Sequence, residues 1–470
     1  MKQDINIIEG VVSPRSIFFI GIGGIGMSAI ARYFIHYGYT VGGYDRVETP
    51  ITQSLVAQGA QVIYIDDDAL IPEVFKGDDC LVVYTPAIPQ DNNVRLYYEG
   101  KGITFHKRSE ILGFITAGSK ALCVAGTHGK TTTTTLLAHL LSQSHVGANA
   151  FLGGVSLNHD SNLVLDERSP YVVVEADEYD RSFHRLRPFM SIITSTKPDH
   201  LDIYGDAAAF TEAFEYFASL TTDGGLVLMH DKETNITPKV GQGTRVMRYG
   251  SLSTSEYRYD NIRYEGGELF FDWYHPDGVY KDMTIGTPIE INVVNATAAL
   301  AVAKDCGCAE AELRSGLSSF RGVHRRFERV LTFPQYPILL DDYAHHPEEI
   351  EASLSSIKKL YPDKEITVVF QPHLYSRTAD FQREFGESLS QCDDIILLDI
   401  YPARELPIPG ISSHSILKYI DKESKCVVSK ADLIQELSKH HFDVLVMMGA
   451  GDIEFEVPKV KEYLMTKKYQ

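Results

Sequence analysis

The chain lacks several features that mark particular protein classes. Its 470 residues include only six cysteines and one tryptophan. No two cysteines form a Cys-x-x-Cys pair, so we predict reduced thiols in a cytoplasmic protein, although Cys306-Gly-Cys308 could be a redox pair. No apolar run reaches the roughly 20 residues of a membrane-spanning helix. No targeting signal is visible in the polar residues 1–9.

The chain also has few basic residues for its size. It carries 44 Lys and Arg against 63 Asp and Glu, a formal net charge of −19. Such acidity argues against a nucleic-acid partner and against binding to a membrane surface. No internal repeat or low-complexity tract is present. The length is enough for about three domains.

Alternating strand and helix patterns predict an α/β fold in three domains, at 1–113, 114–325 and 326–470. The first and third are expected to be Rossmann-like, with parallel sheets. The central domain is expected to resemble a phosphate-loop ATPase with a parallel sheet. Within it, the tyrosine-rich stretch 244–282 contains a Gly-Gly turn and predicts a small antiparallel part.

The most specific motif lies in the central domain. Gly126-Thr-His-Gly-Lys-Thr131 follows the apolar run Ala121–Ala125 and precedes a leucine-rich helix pattern. Strand, glycine turn and helix N-terminus together form a site for a triphosphate. Lys130 is expected to reach the β- and γ-phosphates, and the Thr131 hydroxyl is expected to reach Mg²⁺. The motif is a variant, because Val124 stands where the full pattern has glycine.

Two further patterns in this domain bear on a metal ion. Glu175 ends an apolar strand, where a carboxylate can meet a Mg²⁺ at the phosphate loop. It opens an acidic run to Asp180, in which Asp177 and Glu178 fit a solvated loop in part. His200 follows another buried strand, and the motif alone leaves open whether it is a metal ligand or an ordinary loop histidine.

The first domain carries a second glycine turn. Gly21–Gly26 follows a short apolar strand, and Asp45 ends the next strand. The spacing is that of a dinucleotide fingerprint, in which the acid binds a ribose hydroxyl. A lone Gly-x-Gly-x-x-Gly is weak evidence, since such a turn can also serve only to pack a helix on a sheet. It indicates a phosphorylated nucleotide without saying which.

Two loops in the third domain cluster charged and aromatic residues at predicted strand ends. Asp341–Pro347 follows one strand and Gln371–Arg377 follows another. Parallel sheets bind ligands at this edge. A guanidinium such as that of Arg377 suits a carboxylate, which it can bind through two parallel hydrogen bonds.

Taken together, these motifs resemble the Mur ligases, ATP-dependent amide-forming enzymes of bacterial cell-wall synthesis. The resemblance runs nearly end to end, and His128 with the Asp341–Pro347 run points to the branch that adds alanine to UDP-N-acetylmuramate. The motifs that carry it are Gly21–Ser28, Gly126–Thr132, Glu175–Glu178, Pro198–Asp202, Arg325–Glu328, Asp341–Pro347, Gln371–His373, Tyr401–Ala403 and Gly449–Ile453.

The resemblance implies a reaction and its ligands. ATP, with Mg²⁺, would phosphorylate the lactyl carboxylate of UDP-N-acetylmuramate, and the amine of L-alanine would then displace phosphate. The first-domain glycine turn would hold the UDP part rather than NAD. The partners would be these small molecules, with no nucleic acid and no membrane insertion, and the protein would be a cytoplasmic monomer or homodimer.

It also implies roles for individual residues. Catalytic roles fall to Lys130, Glu175, His200 and Arg326, and metal binding to Thr131, Glu175 and His200. ATP contacts fall to Gly126, Thr127, His128, Gly129, Lys130, Thr131, Thr132, Asn292, Asn295, Arg326 and Asp342. UDP-sugar contacts fall to Gly21, Gly23, Gly24, Gly26, Ser28, Asp45, Thr85, Ala87 and Ser182. L-Alanine contacts fall to Tyr343, His345, His373 and Arg377.

Three positions depart from the family pattern. Ile291 replaces a histidine before the first asparagine, Leu374 replaces an arginine after His373, and Ser195 replaces an asparagine. The alternatives are a sister ligase that adds a murein tripeptide or another amino acid, a nicotinamide-dependent oxidoreductase, and a nucleotide-binding switch without catalysis. The phosphate loop argues against the oxidoreductase. The acids and histidines at three sheet ends argue against the switch.

Overall fold

The computed structural model describes residues 14–198, 201–403 and 405–466. The chain forms two compact units, each built around parallel sheet. One unit contains the residues up to Asp260 together with Asp272–Met283 and Val294–Phe320. The other contains Asn261–Phe271, Thr284–Val293 and the residues from Arg321 onward. In the described ranges, no helix is both long and apolar enough to cross a membrane.

The first sheet has five parallel strands in the order β3-β2-β1-β4-β5. This is the Rossmann strand order without its sixth strand, and the ligand edge is at the carboxyl ends of β1 and β4. The strands are β1 Ser16–Ile20, β2 Thr40–Tyr44, β3 Gln61–Ile63, β4 Cys80–Tyr84 and β5 Phe105–Lys107. The helices are α1 Ile25–His36, α2 Pro50–Ala57, α3 Asn93–Gly100 and α4 Arg108–Ala117.

The central sheet has ten strands in the order β15-β14-β13-β12-β11-β10-β6-β9-β7-β8. The strands are β6 Lys120–Ala125, β7 Asn149–Ser156, β8 Ser161–Val164, β9 Tyr171–Ala176, β10 Pro188–Ile193, β11 Leu226–His230, β12 Arg245–Gly250, β13 Tyr257–Glu265, β14 Glu268–His275 and β15 Gly278–Thr284. In the order given, every pair of neighbouring strands from β13 to β7 is parallel, and β8 at the end is antiparallel to β7. Gly266-Gly267 forms the predicted turn between β13 and β14.

The helices of this stretch are α5 Lys130–Ser142, α6 Leu201–Tyr204, α7 Ala207–Ser219, α8 Glu290–Asp305 and α9 Glu310–Ser319. The first and central sheets share one apolar core, in which Phe34 of α1, Val174 of β9 and Phe214 of α7 are buried. Helix α1 packs against β7 and β8. The two sheets therefore belong to one compact unit although they are separate in sequence.

The third sheet has six strands in the order β16-β17-β21-β18-β19-β20, all parallel except β16. The strands are β16 Glu328–Leu331, β17 Ile338–Asp342, β18 Ile366–Phe370, β19 Asp394–Leu398, β20 Lys425–Val428 and β21 Val444–Met448. The helices are α10 Pro347–Leu360, α11 Tyr375–Leu389, α12 His414–Leu417, α13 Leu433–Leu437 and α14 Val457–Thr466. Apolar cores cover both faces of the sheet, as a doubly wound fold requires.

The predicted fold class is confirmed: an α/β protein of three domains, with a small antiparallel part in the central one. The six cysteines are free thiols, so Cys306 and Cys308 form no disulfide here. The exact domain bounds stay predictions. Helix α4 runs across residue 113, where the first bound was placed.

Candidate active site

The phosphate loop has the geometry that its glycines predict. It connects β6 to α5, and Gly126 and Gly129 have φ angles of 138° and 81°. A Cβ atom on Gly126 would lie 2.1 Å from Thr194 Oγ1, so no other residue fits there. Gly129 is the N-cap of α5, whose first turn contains Thr131 and Thr132. The backbone N–H groups of this helix end are the expected anion donors.

The end of β10 holds the loop in place. Thr194 Oγ1 donates to the carbonyl oxygens of His128, at 2.6 Å, and Ala125, at 3.1 Å. The Thr127 N–H donates to Ser195 O at 3.0 Å, and the Thr127 hydroxyl lies 3.1 Å from Ser195 Oγ. Ser195, one of the three departures from the family pattern, thus contributes to the loop conformation directly.

Lys130 is paired with a buried carboxylate. Its Nζ lies 2.9 Å from Glu178 Oε1 and 2.8 Å from Oε2, and it also donates to the Gly126 carbonyl. Glu178 is 2% exposed, which corrects the interpretation of this residue as part of a solvated loop. Burial raises the pKa of Glu178, and the Lys130 ammonium counteracts the rise. The sequence signal for this pair was the acid three residues after Glu175.

Glu175 lies on the strand next to the loop. It pairs in register with Val124 of β6, and its carboxylate packs on Gly153, where a Cβ would come within 2.1 Å of Oε2. A small residue at 153 therefore makes room for the acid. Thr131 and Glu175, two predicted Mg²⁺ ligands, extend from adjacent elements, α5 and β9. The third, His200, lies outside the described residues.

Asn292 and Asn295, two of the predicted ATP contacts, both lie on α8 and are buried. Asn295 reaches the loop: its Oδ1 accepts from Thr133 Oγ1 at 3.3 Å and would be 2.8 Å from a Cβ on Gly129. Asn292 Nδ2 donates to Thr287 Oγ1 at 3.0 Å. Ile291, which replaces the family histidine, is 49% exposed.

The glycine turn of the first sheet is fixed by backbone contacts. The N–H groups of Gly21 and Ile22 both donate to Tyr44 O, and Gly23 N–H donates to Asp45 Oδ2 at 2.8 Å. Asp45 therefore holds the turn itself. A Cβ on Gly21 would lie 2.8 Å from Thr85 Cγ2, which places Thr85 against the turn.

Other predicted UDP-sugar residues lie around this turn. Ser28 is fully buried, and its hydroxyl donates to Ile25 O and accepts from Asn162 Nδ2 at 2.8 Å. Ala87 is exposed in the segment after β4. Ser182 lies in the short 3₁₀ helix Tyr179–Arg185. The UDP-sugar roles of all these residues stay predictions.

Two basic residues at the end of β5 were missed by the sequence reasoning. A Cβ on Gly26 would lie 2.6 Å from Arg108 Nη1, so this guanidinium covers the glycine turn. Its Nη2 also lies 3.2 Å from Asp177 Oδ2, and Lys107 Nζ lies 2.8 Å from Asp180 Oδ2. These pairs connect the first sheet to the acidic run after Glu175. A Lys-Arg pair at a strand's carboxyl end was the available signal.

In the third domain, neighbouring arginines have different environments. Arg325 is 6% exposed: Nη1 lies 3.2 Å from Glu454 Oε2, Nε lies 3.6 Å from Asp341 Oδ2, and Nη2 donates to Gly449 O. Arg326 is half-buried, with its guanidinium 4.9 Å from the centre of the Tyr343 ring. Among the described residues, Arg326 makes no ion pair.

The two aspartates at the end of β17 also differ. Asp341 is 2% exposed, and burial raises its pKa to about 7, with Arg325 acting against the shift. Asp342, the predicted ATP contact, accepts from Ser353 Oγ at 2.6 Å and from the Ala344 N–H at 3.2 Å. Burial also raises the pKa of Asp342, and Ser353 and Arg326 favour its charged form.

The four predicted alanine contacts cluster at the ends of β17 and β18. The His345 ring lies 5.2 Å from that of Tyr343 and 6.0 Å from that of His373, centre to centre. Burial lowers the pKa of His345 to about 4 and also lowers that of His373, and the Arg377 charge adds to both shifts. Arg377 Nη1 is buried and, among the described residues, has no hydrogen-bond partner.

Comparisons with known proteins agree with this architecture. Residues 16–120 match the model of the Mur ligase family, catalytic domain; residues 124–303 match the Mur ligase middle domain; and residues 325–451 match the Mur ligase, glutamate ligase domain.

Relatives named UDP-N-acetylmuramate–L-alanine ligase match over nearly the full length. One from Porphyromonas gingivalis is 52% identical over 96% of this chain and 99% of its own. One from Cytophaga hutchinsonii is 42% identical over 95% of this chain and 96% of its own. The crystal structure of UDP-N-acetylmuramate-alanine ligase from Thermotoga maritima superposes with a TM-score of 0.82 at 28% identity, covering 96% of this chain and 100% of that one. The chain belongs to the Mur ligase family.

Proposed function

We propose that the chain joins L-alanine to the lactyl carboxylate of UDP-N-acetylmuramate, using ATP and passing through an acyl phosphate. The observation that carries the amino-acid half is Arg377, whose buried Nη1 has no hydrogen-bond partner in the part of the chain that the structure describes and lies beside two neutral imidazoles. A buried guanidinium N–H without an acceptor is costly, and a carboxylate would satisfy it. The names of the full-length relatives support the same reaction.

The phosphate loop fits a nucleoside triphosphate. Gly126 and Gly129 leave no room for a Cβ and keep the backbone open to an anion. Lys130 is the cation for its phosphates, and Glu178 keeps that ammonium in place until the phosphates bind. The Lys130–Glu178 pair thus keeps a cation at the loop for the nucleotide phosphates and avoids an unpaired buried charge before they bind.

Thr131 and Glu175 would hold Mg²⁺, since hard cations take oxygen ligands and both side chains offer oxygen atoms. Bound there, it would offset the negative charge of the phosphates. Lys130 would contribute to the same neutralisation, and Arg326 of the third domain stays a predicted ATP contact.

The alanine pocket positions the amino acid by charge and size. Arg377 would take the carboxylate, while Tyr343, His345 and His373 would surround the methyl group. Both histidines are neutral at physiological pH because their pKa values are lowered. Neutral rings add no repulsion against the ammonium group of the incoming amino acid, which must lose a proton before it attacks.

Phosphate release tests the reaction. The assay contains ATP, Mg²⁺ and UDP-N-acetylmuramate with L-alanine, glycine, L-serine or a murein tripeptide in turn. We expect release that needs both the sugar nucleotide and L-alanine. Release only with another amino acid would move the chain to a sister activity, and release with none of them would contradict the proposal.

A variant pair on α11 tests the carboxylate contact. Arg377→Ala should raise the KM for L-alanine at least about 100-fold and leave the KM for ATP within about twofold. Arg383→Ala is the matched control on the same helix, because Arg383 is exposed and pairs with Glu387 at 2.8 Å. Equal effects of the two changes would contradict the role of Arg377.

A further inference from the structure

A second cluster of metal-ligating side chains lies at the opposite edge of the third sheet from β16. Cys426 is on the edge strand β20, Glu436 is on α13, and His440 lies between α13 and β21. Asp394 begins β19, next to β20. None of these residues has a role in the proposed joining of L-alanine to UDP-N-acetylmuramate, so that reaction does not explain the cluster.

The spacing of three of these groups fits one ion. His440 Nε2 lies 3.1 Å from Glu436 Oε1, and Cys426 Sγ lies 3.9 Å from the same oxygen. The three ligand atoms all lie within 4.8 Å of one another. In a tetrahedral zinc site, with ligands at about 2.0–2.3 Å from the metal, neighbouring ligand atoms are about 3.3–3.8 Å apart. Small side-chain shifts would bring the cluster to those distances.

The fourth residue supports the imidazole from behind. Asp394 Oδ2 is hydrogen-bonded to His440 Nδ1, and Ser424 Oγ donates to Asp394 Oδ1. With Nδ1 held by Asp394, the other ring nitrogen, Nε2, faces Glu436 Oε1 and the rest of the cluster. A carboxylate behind a ligating histidine is also the usual support of metal sites.

Glu436 is oriented for the same role. Lys439 Nζ lies 2.6 Å from Glu436 Oε2. That contact leaves Oε1 directed at His440 and Cys426. All three ligand residues are half-buried, so solvent can supply a fourth ligand.

We propose that Cys426 Sγ, Glu436 Oε1 and His440 Nε2 bind a divalent transition-metal ion of the zinc type, with Asp394 orienting the imidazole and water as the fourth ligand. Thiolate and imidazole select a borderline-soft ion, not the Mg²⁺ that oxygen ligands would hold at the phosphate loop. As the metal–sulfur bond forms, the Cys426 thiol releases its proton to solvent. The ion would tie the edge strand to α13.

Cobalt(II) is the probe, because cobalt bound to a thiolate gives a near-ultraviolet charge-transfer band that a site of oxygen ligands lacks. The full-length protein is treated with EDTA, dialysed and titrated with Co²⁺ in excess Mg²⁺. We expect one thiolate-bound cobalt per chain, displaced by Zn²⁺. Absence of the band at cobalt excess would overturn the proposal.

Cys426→Ser should abolish the band, and Cys306→Ser is the matched control because Cys306 is also a half-buried free thiol. Asp394→Asn should weaken metal binding about 10- to 100-fold. Thermal unfolding separates metal binding from folding. With EDTA, Cys426→Ser and the parent should unfold at the same temperature, and Zn²⁺ should raise that of the parent alone. A band lost in Cys306→Ser and kept in Cys426→Ser would refute the assignment.

Discussion

The phosphate loop and the ligand edge of the third sheet both contain residues with positive φ angles, but they differ in the residue types at those positions. In the phosphate loop, the residues with left-handed backbone are glycines, Gly126 and Gly129. At the third sheet, Gly449 has a φ angle of 142°, and three larger residues also have positive values: Arg325, Phe327 and Leu374 have φ angles of 60°, 51° and 71°. Backbone strain is therefore avoided in the phosphate loop and tolerated at the ligand edge of the third sheet.

The two edges also differ in how they assign chemical roles. In the phosphate loop, the spacing of the motif distinguishes residues of the same type: Gly126 and Gly129 have positive φ angles, while Thr131 and Thr132 lie in the first turn of α5. At the third sheet, adjacent identical residues have different environments: Arg325 and Asp341 are buried against each other, while Arg326 is half-buried and Asp342 accepts from Ser353 Oγ. Asp341 and Asp342 are successive residues of β17, so their side chains point to opposite faces of the sheet. Residue type alone therefore does not distinguish these neighbours.

The largest expected effect is at the phosphate loop. Lys130→Ala should lower turnover by about 10³-fold or more, because the charge that offsets the phosphates is lost. Binding of UDP-N-acetylmuramate should be nearly unchanged, since its predicted contacts lie around the glycine turn of the first sheet. Steady-state kinetics and calorimetric titration measure the two quantities.

The buried partner of Lys130 requires a control. The alanine variant leaves Glu178 without its ammonium, which could disturb the loop. A double variant, Lys130→Ala with Glu178→Gln, removes that unpaired charge. If the double variant regains turnover, the lysine serves to neutralise Glu178 and not the phosphates. Loss of sugar-nucleotide binding in both variants would indicate a purely structural loop.

The two arginines test the division of roles at the third sheet. Arg325→Ala should lower the free energy of unfolding by about 3–5 kcal/mol, because it removes the cation beside the buried Asp341 and leaves the Gly449 carbonyl without its donor. Arg326→Ala should change that free energy by less than about 1 kcal/mol and lower turnover by about 10²-fold. Denaturant titration and phosphate release measure each variant. Equal effects of the two changes on stability would contradict the division.

The sequence was sufficient where local chemistry determines structure. Apolar runs predicted the central strands of all three sheets, and the glycines of the phosphate loop predicted its backbone. The resemblance selected Arg326 over Arg325, which residue type alone does not. The loop composition around Asp177 and Glu178 suggested exposure, and Glu178 is buried because Lys130 neutralises it across 48 residues of sequence.

Long-range partners account for the remaining gaps. Arg108 covers the glycine turn of the first sheet from a helix 82 residues further along the chain, so no local motif contains the pair. The metal-ligating cluster of Cys426, Glu436 and His440 brings together a strand, a helix and a loop, at spacings that match no metal motif. Such contacts follow from the order of the strands, which the sequence patterns do not specify.

The buried carboxyl of Asp341 predicts a pH dependence of stability at the third sheet. Its carboxyl has a pKa of about 7 when folded and its ordinary value of 3.8 when unfolded. The folded state therefore holds a proton that the unfolded state has lost, and the stability from this group is present below pH 4 and lost as pH rises to 7. Asp341→Asn removes this loss. Relative to the parent, the variant should gain about 4 kcal/mol between pH 4 and pH 8, because the folded and unfolded pKa values differ by about three units.

Denaturant titrations of both proteins at several pH values measure this difference. Asparagine stands in for the protonated acid, so the two stabilities should converge near pH 4 and diverge above it. A difference that stays constant from pH 4 to pH 8 would show that Arg325 holds Asp341 ionised throughout. The arginine–aspartate pair would then be a permanent ion pair.

The smallest effect concerns backbone strain. Leu374 has a φ angle of 71° and a ψ angle of 138° at the N-cap of α11, and its N–H donates to Tyr401 O at 2.9 Å. Only glycine adopts this conformation without strain. Leu374→Gly should therefore be more stable than Leu374→Ala by about 1 kcal/mol, the reverse of the usual order of these residues.

The alanine variant is the proper reference, because both changes remove the same half-buried side chain and only alanine keeps a Cβ. Thermal and denaturant unfolding give the sign. If glycine proves the less stable of the two, the loop relaxes around a side chain and carries no strain. The phosphate loop and the ligand edge of the third sheet would then differ in residue type but not in backbone strain. Tolerated strain would not be the reason that a leucine has a positive φ angle at position 374.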